Sequence, residues 1–431
     1  MSGIQLHPHD ILDEGMPQII AYIHKLKDIK YIFPEVNTIF ERNPYPVGKL
    51  PRNPVHEVVF GTGTMHAILP SYEDSGLDQR REPTLSTERD PLMIIKEAVQ
   101  HEPFEVIPWL NILNGHFEGA LLANNLVTDV YGQVIPHWLC PNAPDVINFW
   151  EKAFVDLYRR YGFTSYMIDR IRYPDWAGQE VNPKGLLTCF CSHCEKKMAR
   201  QHLDVNAVKQ ALQTWSMKLK EKQFDEAVSY AEQNAHIQAW ISFRQESVSG
   251  FVERLIERVR KVNDAFTIWL DLWPPAYSWM LGQDYASLTK LSPALKHFPY
   301  HKLGGGADVQ GLIRYLADTE QEQEEAFRAF KRFFHLPYDL TYQTFQEEGF
   351  PIQFVADQNN IVRAQSDPNT RIFSGIQMWN ISPSNLIEAV KAGENSAADD
   401  LLYYCYGWAA DELFDAIQNY REKSHREKGT N

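Results

Sequence analysis

The chain has 431 residues, 44% of them hydrophobic and 23% charged, with a formal net charge of −14. Such a chain suits one large soluble α/β domain with insertions; it is not the composition of a disordered polymer, and it has no basic stripe for nucleic acid. It opens without a basic-then-apolar leader, no apolar run approaches the roughly 18 residues of a membrane helix, and five cysteines do not make a disulfide framework, so the expected place is the cytoplasm.

Short apolar runs alternate with amphipathic stretches, the pattern of parallel strands joined by helices. The first strand is "GIQLHPH", followed by the helix "DEGMPQIIAYIHKLKD" with Ile19, Ile20, Ile23 and Leu26 on one face. The second strand is "KYIFPEVNTIF". The helical "DPLMIIKEAVQHE" precedes the third, "FEVIPWLNIL". The helix "PDVINFWEKAFVDLYRRYG" precedes the fourth, "FTSYMIDRIRYP", and "FVERLIERVRKVN" precedes the fifth, "AFTIWLDLWPP". The sixth lies around "LKHFPYHKL", the seventh is "TRIFSGIQMWNIS", and the eighth, "DDLLYYCYGW", is closed by the helix "AADELFDAIQNYRE". Eight strand–helix units predict a (β/α)8 TIM barrel forming one domain over 1–431. Two long insertions are expected. Residues 38–103 follow strand two and include an extra strand at "EVVFGTGTMHAIL". Residues 174–260 follow strand four and form an inserted subdomain with the polar helical "VKQALQTWSMKLKEKQFDEAVSYAEQNAH".

That second insertion holds "CFCSHC", with Cys189, Cys191 and Cys194. Three thiolates need a fourth ligand for a tetrahedral zinc. Cys140, in the loop after strand three, is the candidate, and His193 is a rival. The alternative is three reduced cysteines packed as small apolar residues. Cys405 reads as buried packing. Four thiolates would leave zinc no open position, so the ion would brace loops without catalysing.

"CPNAPDV" followed by "CFCSHCEKKMAR" resembles the zinc-bearing loops of the family 42 β-galactosidases, which implies Cys140, Cys189, Cys191 and Cys194 as zinc ligands. That family carries an Ile-Asp-Asn-Glu run in strand four, with Glu as acid/base. Here "MIDRIRYP" puts Arg170 and Ile171 in place of the Asn-Glu pair, so that acid/base is missing. "DRIRYP", "CFCSHC" and "WPPAYSWMLGQDY" together resemble, over about residues 4–420, a family of barrel proteins described as hypothetical glycosyl hydrolases. That resemblance implies a glycosidase barrel and is compatible with a homo-oligomer.

Catalytic groups of this fold gather at C-terminal strand ends. There the sequence offers His7, Glu35, Trp109, Asn111, Asp169, Arg170, Arg172, Asp271, Trp273, His301, Gln377, Trp379 and Tyr406. Aromatics, amides and a few carboxylates suit a sugar, whose C–H faces stack on rings and whose hydroxyls need polar partners. Glycoside hydrolysis needs two carboxyl groups. Asp169, followed by two arginines, is expected to stay ionised as nucleophile or base. Asp271, between Trp269 and Trp273, is expected to be desolvated into a general acid. Strand alternation places Arg170 and Arg172 opposite Asp169 unless the chain turns there. Glu35 is expected to bind substrate, with the remaining groups of that set holding the sugar. Asp284 reads as a helix cap, and Glu73 and Asp74 as lid residues. The pair His7/His9, with His301, offers a metallohydrolase alternative, and "KLGGGAD", residues 302–308, an edge of the pocket. A barrel that binds carbohydrate without cleaving it is the further alternative.

Overall fold

A computed structural model of the protein describes residues 1–40, 49–53, 61–176, 183–303 and 309–428. Eight parallel strands close on themselves: β1 (Ser2–Leu6), β2 (Ile29–Asn37), β3 (Trp109–Asn111), β4 (Ser165–Asp169), β5 (Thr267–Leu272), β6 (Ala294–His297), β7 (Arg371–Gln377) and β8 (Asp400–Tyr404). Each pairs with the next in chain order, and β8 with β1. This is the expected (β/α)8 barrel. Helices pack outside it, including α1 (Met16–Lys25), α2 (Pro91–Ala98), α3 (Pro144–Tyr161), α4 (Ala235–Val262), α5 (Gln353–Gln365), α6 (Pro383–Glu394) and α7 (Asp411–Lys428). Local signals set their starts. The Asp90 carboxylate accepts from the Met93 amide at 3.3 Å to cap α2, and Asn234 accepts from His236 and Ile237 to cap α4. Asp284 likewise caps the short helix Tyr285–Leu288, as its sequence suggests.

Period-two alternation divides each strand's side chains between the barrel interior and the helix layer. Tyr31, Phe33, Ile107, Trp109, Met167, Trp269, Ala294, Phe373 and Leu402 form a separate apolar cluster. Tyr31 of β2 meets Trp269 of β5 at 5.1 Å and Phe373 of β7 at 5.8 Å between ring centroids. Strands on opposite sides of a barrel touch only through its interior, so this cluster fills the lumen and forms the floor beneath the mouth.

The insertions depart from expectation in three places. The apolar segment after β2 forms no strand among its described residues. Thr62 bridges Phe40, Met65 bridges Asn37 and Arg81, and residues 57–60 lie outside the described residues. Tyr72 hydrogen-bonds Asp156 on α3, so Glu73 and Asp74 lie against an outer helix and not over the mouth. The polar stretch after β4 breaks into Val205–Lys220 and Phe224–Gln233 around Lys222, whose φ is +60°. A third insertion, after β6, holds the helices Gln310–Leu316, Glu320–Phe333 and Tyr342–Glu348. Phe330 and Phe334 pack there on Trp176 and Tyr277 from the β4 and β5 loops. Among the described residues no helix is long and apolar enough to cross a membrane.

Candidate functional site

Strand register assembles a polar row around the C-terminal mouth. Asn111 on β3 is paired with Asp169 on β4, and Asp271 on β5 with Lys296 on β6. Ile168 is paired with Leu270, so the next residues, Asp169 and Asp271, stand side by side on adjacent strands. Asp271 is 1% exposed; its Oδ2 accepts from Lys296 Nζ and from Gln5 Nε2, each at 3.0 Å, while Oδ1 has no partner. Burial pushes its carboxyl up to about 6; Lys296 opposes that shift and the Asp169 charge adds to it. Desolvation here is as expected, but the groups that hold Asp271 are Lys296 and Gln5. Trp269 lies below in the lumen, and Trp273 points away into the helix layer.

Asp169 ends β4, and Arg170 follows at φ +53° in the left-handed region. That turn resets the alternation. Arg172 Nη1 comes back to Asp169 Oδ1 at 2.9 Å, and Ile171 goes to the outer core. Arg170 Nη1 and Arg172 Nε both reach Asp175, at 3.1 and 2.8 Å, so the two arginines brace the β4 loop with their forks.

On the other side of Asn111, Glu35 Oε1 accepts from Asn111 Nδ2 at 2.9 Å and Glu35 Oε2 pairs with His7 Nδ1 at 2.7 Å. Burial works against charge on His7, but Glu35 first, and then Cys405, more than offset it and hold the imidazole well above its usual range. An aromatic wall faces these groups. Tyr404 stacks parallel to Tyr300 at 5.9 Å and meets Trp109 and Trp379 edge-on at 6.0 and 5.4 Å. His7 lies 5.8 Å from Trp109. The Lys296 ammonium lies 5.0 Å from the Tyr404 ring. Trp109 Nε1, Asn111 Oδ1, Tyr300 Oη and His66 Nδ1 are buried without partners in the same region. Unpartnered buried polar atoms are costly, and four of them stand in this region.

The structure therefore brings together His7, Glu35, Trp109, Asn111, Asp169, Asp271 and Trp379, with Arg172 behind Asp169. It places other expected groups elsewhere. Trp273 packs edge-on against Trp176 at 4.9 Å and underlies the Arg172 guanidinium at 5.2 Å. Tyr406 lies in the turn after β8, its hydroxyl on Glu14 and its ring against Phe414 and Arg52. Gln377 uses both ends of its amide on backbone, accepting from Lys302 N and donating to Trp379 O, so it fastens the β6 loop to β7. His301 is 3% exposed, and burial lowers its pKa to about 4, leaving a neutral ring. Arg170 is directed to Asp175. His7 and His9 stack at 5.4 Å, but His7 is committed to Glu35 and His9 pairs with Asp10. Among the described residues the group whose ligand atoms converge for a metal is the four cysteines. The glycine run 304–308 lies outside the described residues. Lys296, Gln5, Tyr404, His66 and Asp175 were not anticipated. Gln5 and Lys296 carried a usable signal, because each is a polar residue at an inward position of an apolar strand.

The second constellation lies between the β3 and β4 loops. A hairpin, Leu126–Thr128 and Val134–Leu139, delivers Cys140. The cysteine loop joins it through backbone: Phe190 N donates to Thr128 O at 2.7 Å and Val130 N to Leu187 O at 3.0 Å. The sulfurs of Cys140, Cys189, Cys191 and Cys194 all lie within 4.8 Å of one another, with Cys140 at 3.4 Å from Cys194 and 3.5 Å from Cys191. Metal–sulfur bonds of ~2.3 Å in a tetrahedron require sulfurs about 3.8 Å apart. Thr128 N donates to Cys189 Sγ, and Asn142 N to Cys140 Sγ, both at 3.4 Å, as thiolates want. The set can hold a metal ion. His193 is not part of it.

No protein-family model and no curated protein matches the sequence. Solved structures match by shape. The chain superposes on the catalytic domain of the β-amylase from Paenibacillus polymyxa with a TM-score of 0.56 at 9% identity, covering 98% of each chain. It superposes on the β-galactosidase of the psychrophilic Marinomonas ef1 with a TM-score of 0.53 at 10% identity, over 98% of this chain and 59% of that one. For the β-galactosidase of Bacillus circulans sp. alkalophilus the values are 0.51, 13%, 99% and 56%. The chain thus spans less than two thirds of either galactosidase. At these identities the likeness is one of fold: this chain shares their barrel.

Proposed function

We propose that the protein is a glycoside hydrolase that cleaves an oligosaccharide with Asp169 and Asp271, in the cytoplasm, with a structural zinc at Cys140, Cys189, Cys191 and Cys194. The observation that carries the reading is the placement of two inward carboxyls side by side on β4 and β5, in a mouth walled by Trp109, Tyr300, Tyr404 and Trp379. Adjacent strands lie about 4.8 Å apart. Carboxyls projecting inward from neighbouring strands fit the close ~5–5.5 Å pair that a retaining enzyme uses. The shared barrel of a β-amylase and two β-galactosidases is in keeping with it.

In this reading Asp169, hydrogen-bonded to Arg172, attacks the anomeric carbon. Asp271, its carboxyl raised to about 6, gives its proton to the leaving oxygen and then takes one from water. Trp109 and the tyrosines stack on the sugar; Asn111 Oδ1, Trp109 Nε1 and Tyr300 Oη meet its hydroxyls. Zinc, when bound, supplies a closed four-thiolate brace, and Cys140 and the cysteine loop then hold the β3 and β4 loops in register.

The test is covalent trapping. A panel of 2-deoxy-2-fluoro glycosides is incubated with the protein and the mass of the labelled peptide is read. Label on Asp169 supports the reading. Asp169→Asn should lose turnover by at least ~10³-fold, whereas Asp271→Asn should lose ~10²–10⁴-fold on natural glycosides and far less on aryl glycosides with good leaving groups. One observation favours a second reading, a carbohydrate-binding barrel without turnover: Asp271 lies under Lys296 and Gln5 at 1% exposure. Oligosaccharide binding unchanged in both variants, with no label and no product, would establish that reading and exclude the first.

A further inference from the structure

Arg244 on α4 is a charged side chain with 0% exposure. Its Nη1 donates to Met280 O at 2.7 Å and to Leu186 O at 3.3 Å, three residues before Cys189. The guanidinium carbon lies over the rings of Trp240 and Tyr173, at 4.5 and 4.6 Å. Its Nε and Nη2 have no partner, and no carboxylate among the described residues pairs with it. A buried cation without a counter-charge costs several kcal/mol. Burial lowers its pKa to about 9, against the opposing pull of Tyr173, Cys189 and Cys194. The Tyr173 phenol, whose ring it overlies, and those two thiols are the acidic groups whose charge acts on it.

Four thiolates and one dication leave two negative charges in the same buried space. Lys197 is a second cation nearby. Its Nζ donates to Asn142 Oδ1 at 3.0 Å and to Ser247 Oγ at 3.1 Å, and Asn142 Nδ2 in turn donates to Cys194 Sγ at 3.3 Å. We infer that Arg244, with Lys197 as the lesser partner, is the built-in counter-charge of the metal-loaded cysteine site, so that the protein's buried arginine and its metal are each stabilised by the other. The inference rests on the metal reading above and adds to it the reason for an arginine with no acid. Arg244 is a positioning residue here: it touches no ligand atom, and it ties the cysteine loop to the segment after β5 through Leu186 and Met280.

The experiment uses the full chain as purified: wild type, Arg244→Met, Arg244→Lys and Lys197→Met. Metal per chain is counted by elemental analysis, and zinc retention is titrated against a chromophoric chelator. Wild type should carry one ion. Arg244→Met should release it about 10–100-fold more readily, the scale of partners outside the ligand shell. Arg244→Lys should recover most of that retention, and Lys197→Met should lose several-fold. In a metal-free Cys189→Ser/Cys191→Ser chain, Arg244→Met should shift the urea midpoint less than in the loaded chain, because the arginine there has lost its counter-charge. Equal retention in all variants, or a loss in Arg244→Lys as large as in Arg244→Met, overturns the inference while leaving the metal site standing. A wild type without metal overturns the metal reading as well. If Arg244→Met does not fold, Lys197→Met decides: lost retention supports the counter-charge, and unchanged retention overturns it.

Discussion

At the barrel mouth the carboxylates face cations of their own: Glu35 faces His7, Asp169 faces Arg172, and Asp271 faces Lys296. At the cysteine cluster, four buried thiols face one another. The two regions lie on neighbouring loops and strand ends of one barrel. The mouth is neutralised in pairs, two drawn from different strands and the third, Asp169 with Arg172, made by the turn after β4, so closing the barrel and that one turn are enough to assemble it. The cluster's four ligand residues include no cation, so closing the loops concentrates acidic groups that an ion would hold together. The mouth is therefore expected to survive without ligand, while the cluster is expected to depend on its metal.

The largest break in that comparison should come from stripping the metal. Binding at a thousandfold excess over the dissociation constant contributes about 4 kcal/mol, and closed four-thiolate sites bind far more tightly than most working metal concentrations require. Chelation should lower the unfolding midpoint and open the hairpin 126–139 and the helix Ser192–Arg200 to amide exchange, while β5 to β8 stay protected. Exchange spread evenly over the barrel would mean that the cluster is not a local brace.

Next in size is Lys296→Met, which leaves the Asp271 charge buried and alone. Removing one partner of a buried pair costs ~3–5 kcal/mol, and replacing both by apolar side chains of similar volume costs much less. Lys296→Met should therefore be strongly destabilising in urea titration, and Lys296→Met/Asp271→Leu should recover part of the loss. Failure of the second change to compensate would show that Lys296 is held by Gln5 and the Phe298 and Tyr404 rings more than by the aspartate.

The barrel was legible because its strands are short, apolar and alternating, and because helices intervene at every step. The cysteine cluster was legible because three of its members are local in sequence; Cys140 followed from neighbouring strands bringing their loops together and from the resemblance of "CPNAPDV" to a zinc-bearing loop. What was not legible begins where alternation stops. Arg170 adopts a left-handed turn that no rule of strands anticipates, and it brings Arg172 onto Asp169. Beyond the last paired residues of β5 and β8, Trp273 and Tyr406 turn outward, while Tyr404, still on the strand, faces the mouth. The helices after β6 resemble any amphipathic helices, so nothing local marked them as an insertion whose phenylalanines seal the β4 and β5 loops. Lys296, like Gln5, is marked in the sequence only by its polar side chain at an inward strand position; its partner Asp271 follows from the closed barrel.

The smallest expected effect is a pH dependence, and its sign follows from the same pairs. Asp10 and Asp271 are both raised by burial from 3.8 to about 6. Between pH 4 and 6 each keeps a proton in the native state that the unfolded chain has released. Their contribution to stability is therefore present at pH 4 and declines as pH rises through 6. His7 is raised as well, so its contribution is complete below 6.5 and is lost only as pH climbs through its higher native value. All three favour the native state at lower pH. A tenfold gain in proton affinity on folding corresponds to roughly 1.4 kcal/mol, so each aspartate contributes on the order of 3 kcal/mol at most. Asp10→Asn should flatten the fall in urea midpoint between pH 4 and 6 without touching the region above 7, and His7→Asn should do the reverse. If Asp271 is the proton donor, turnover should fall as pH rises through about 6, in step with the stability limb that Asp10→Asn leaves behind. A rate that instead rises through pH 6 would mean that the ionised form of Asp271 is the active one, and the side-by-side pair would then exchange roles, with Asp169 as the acid.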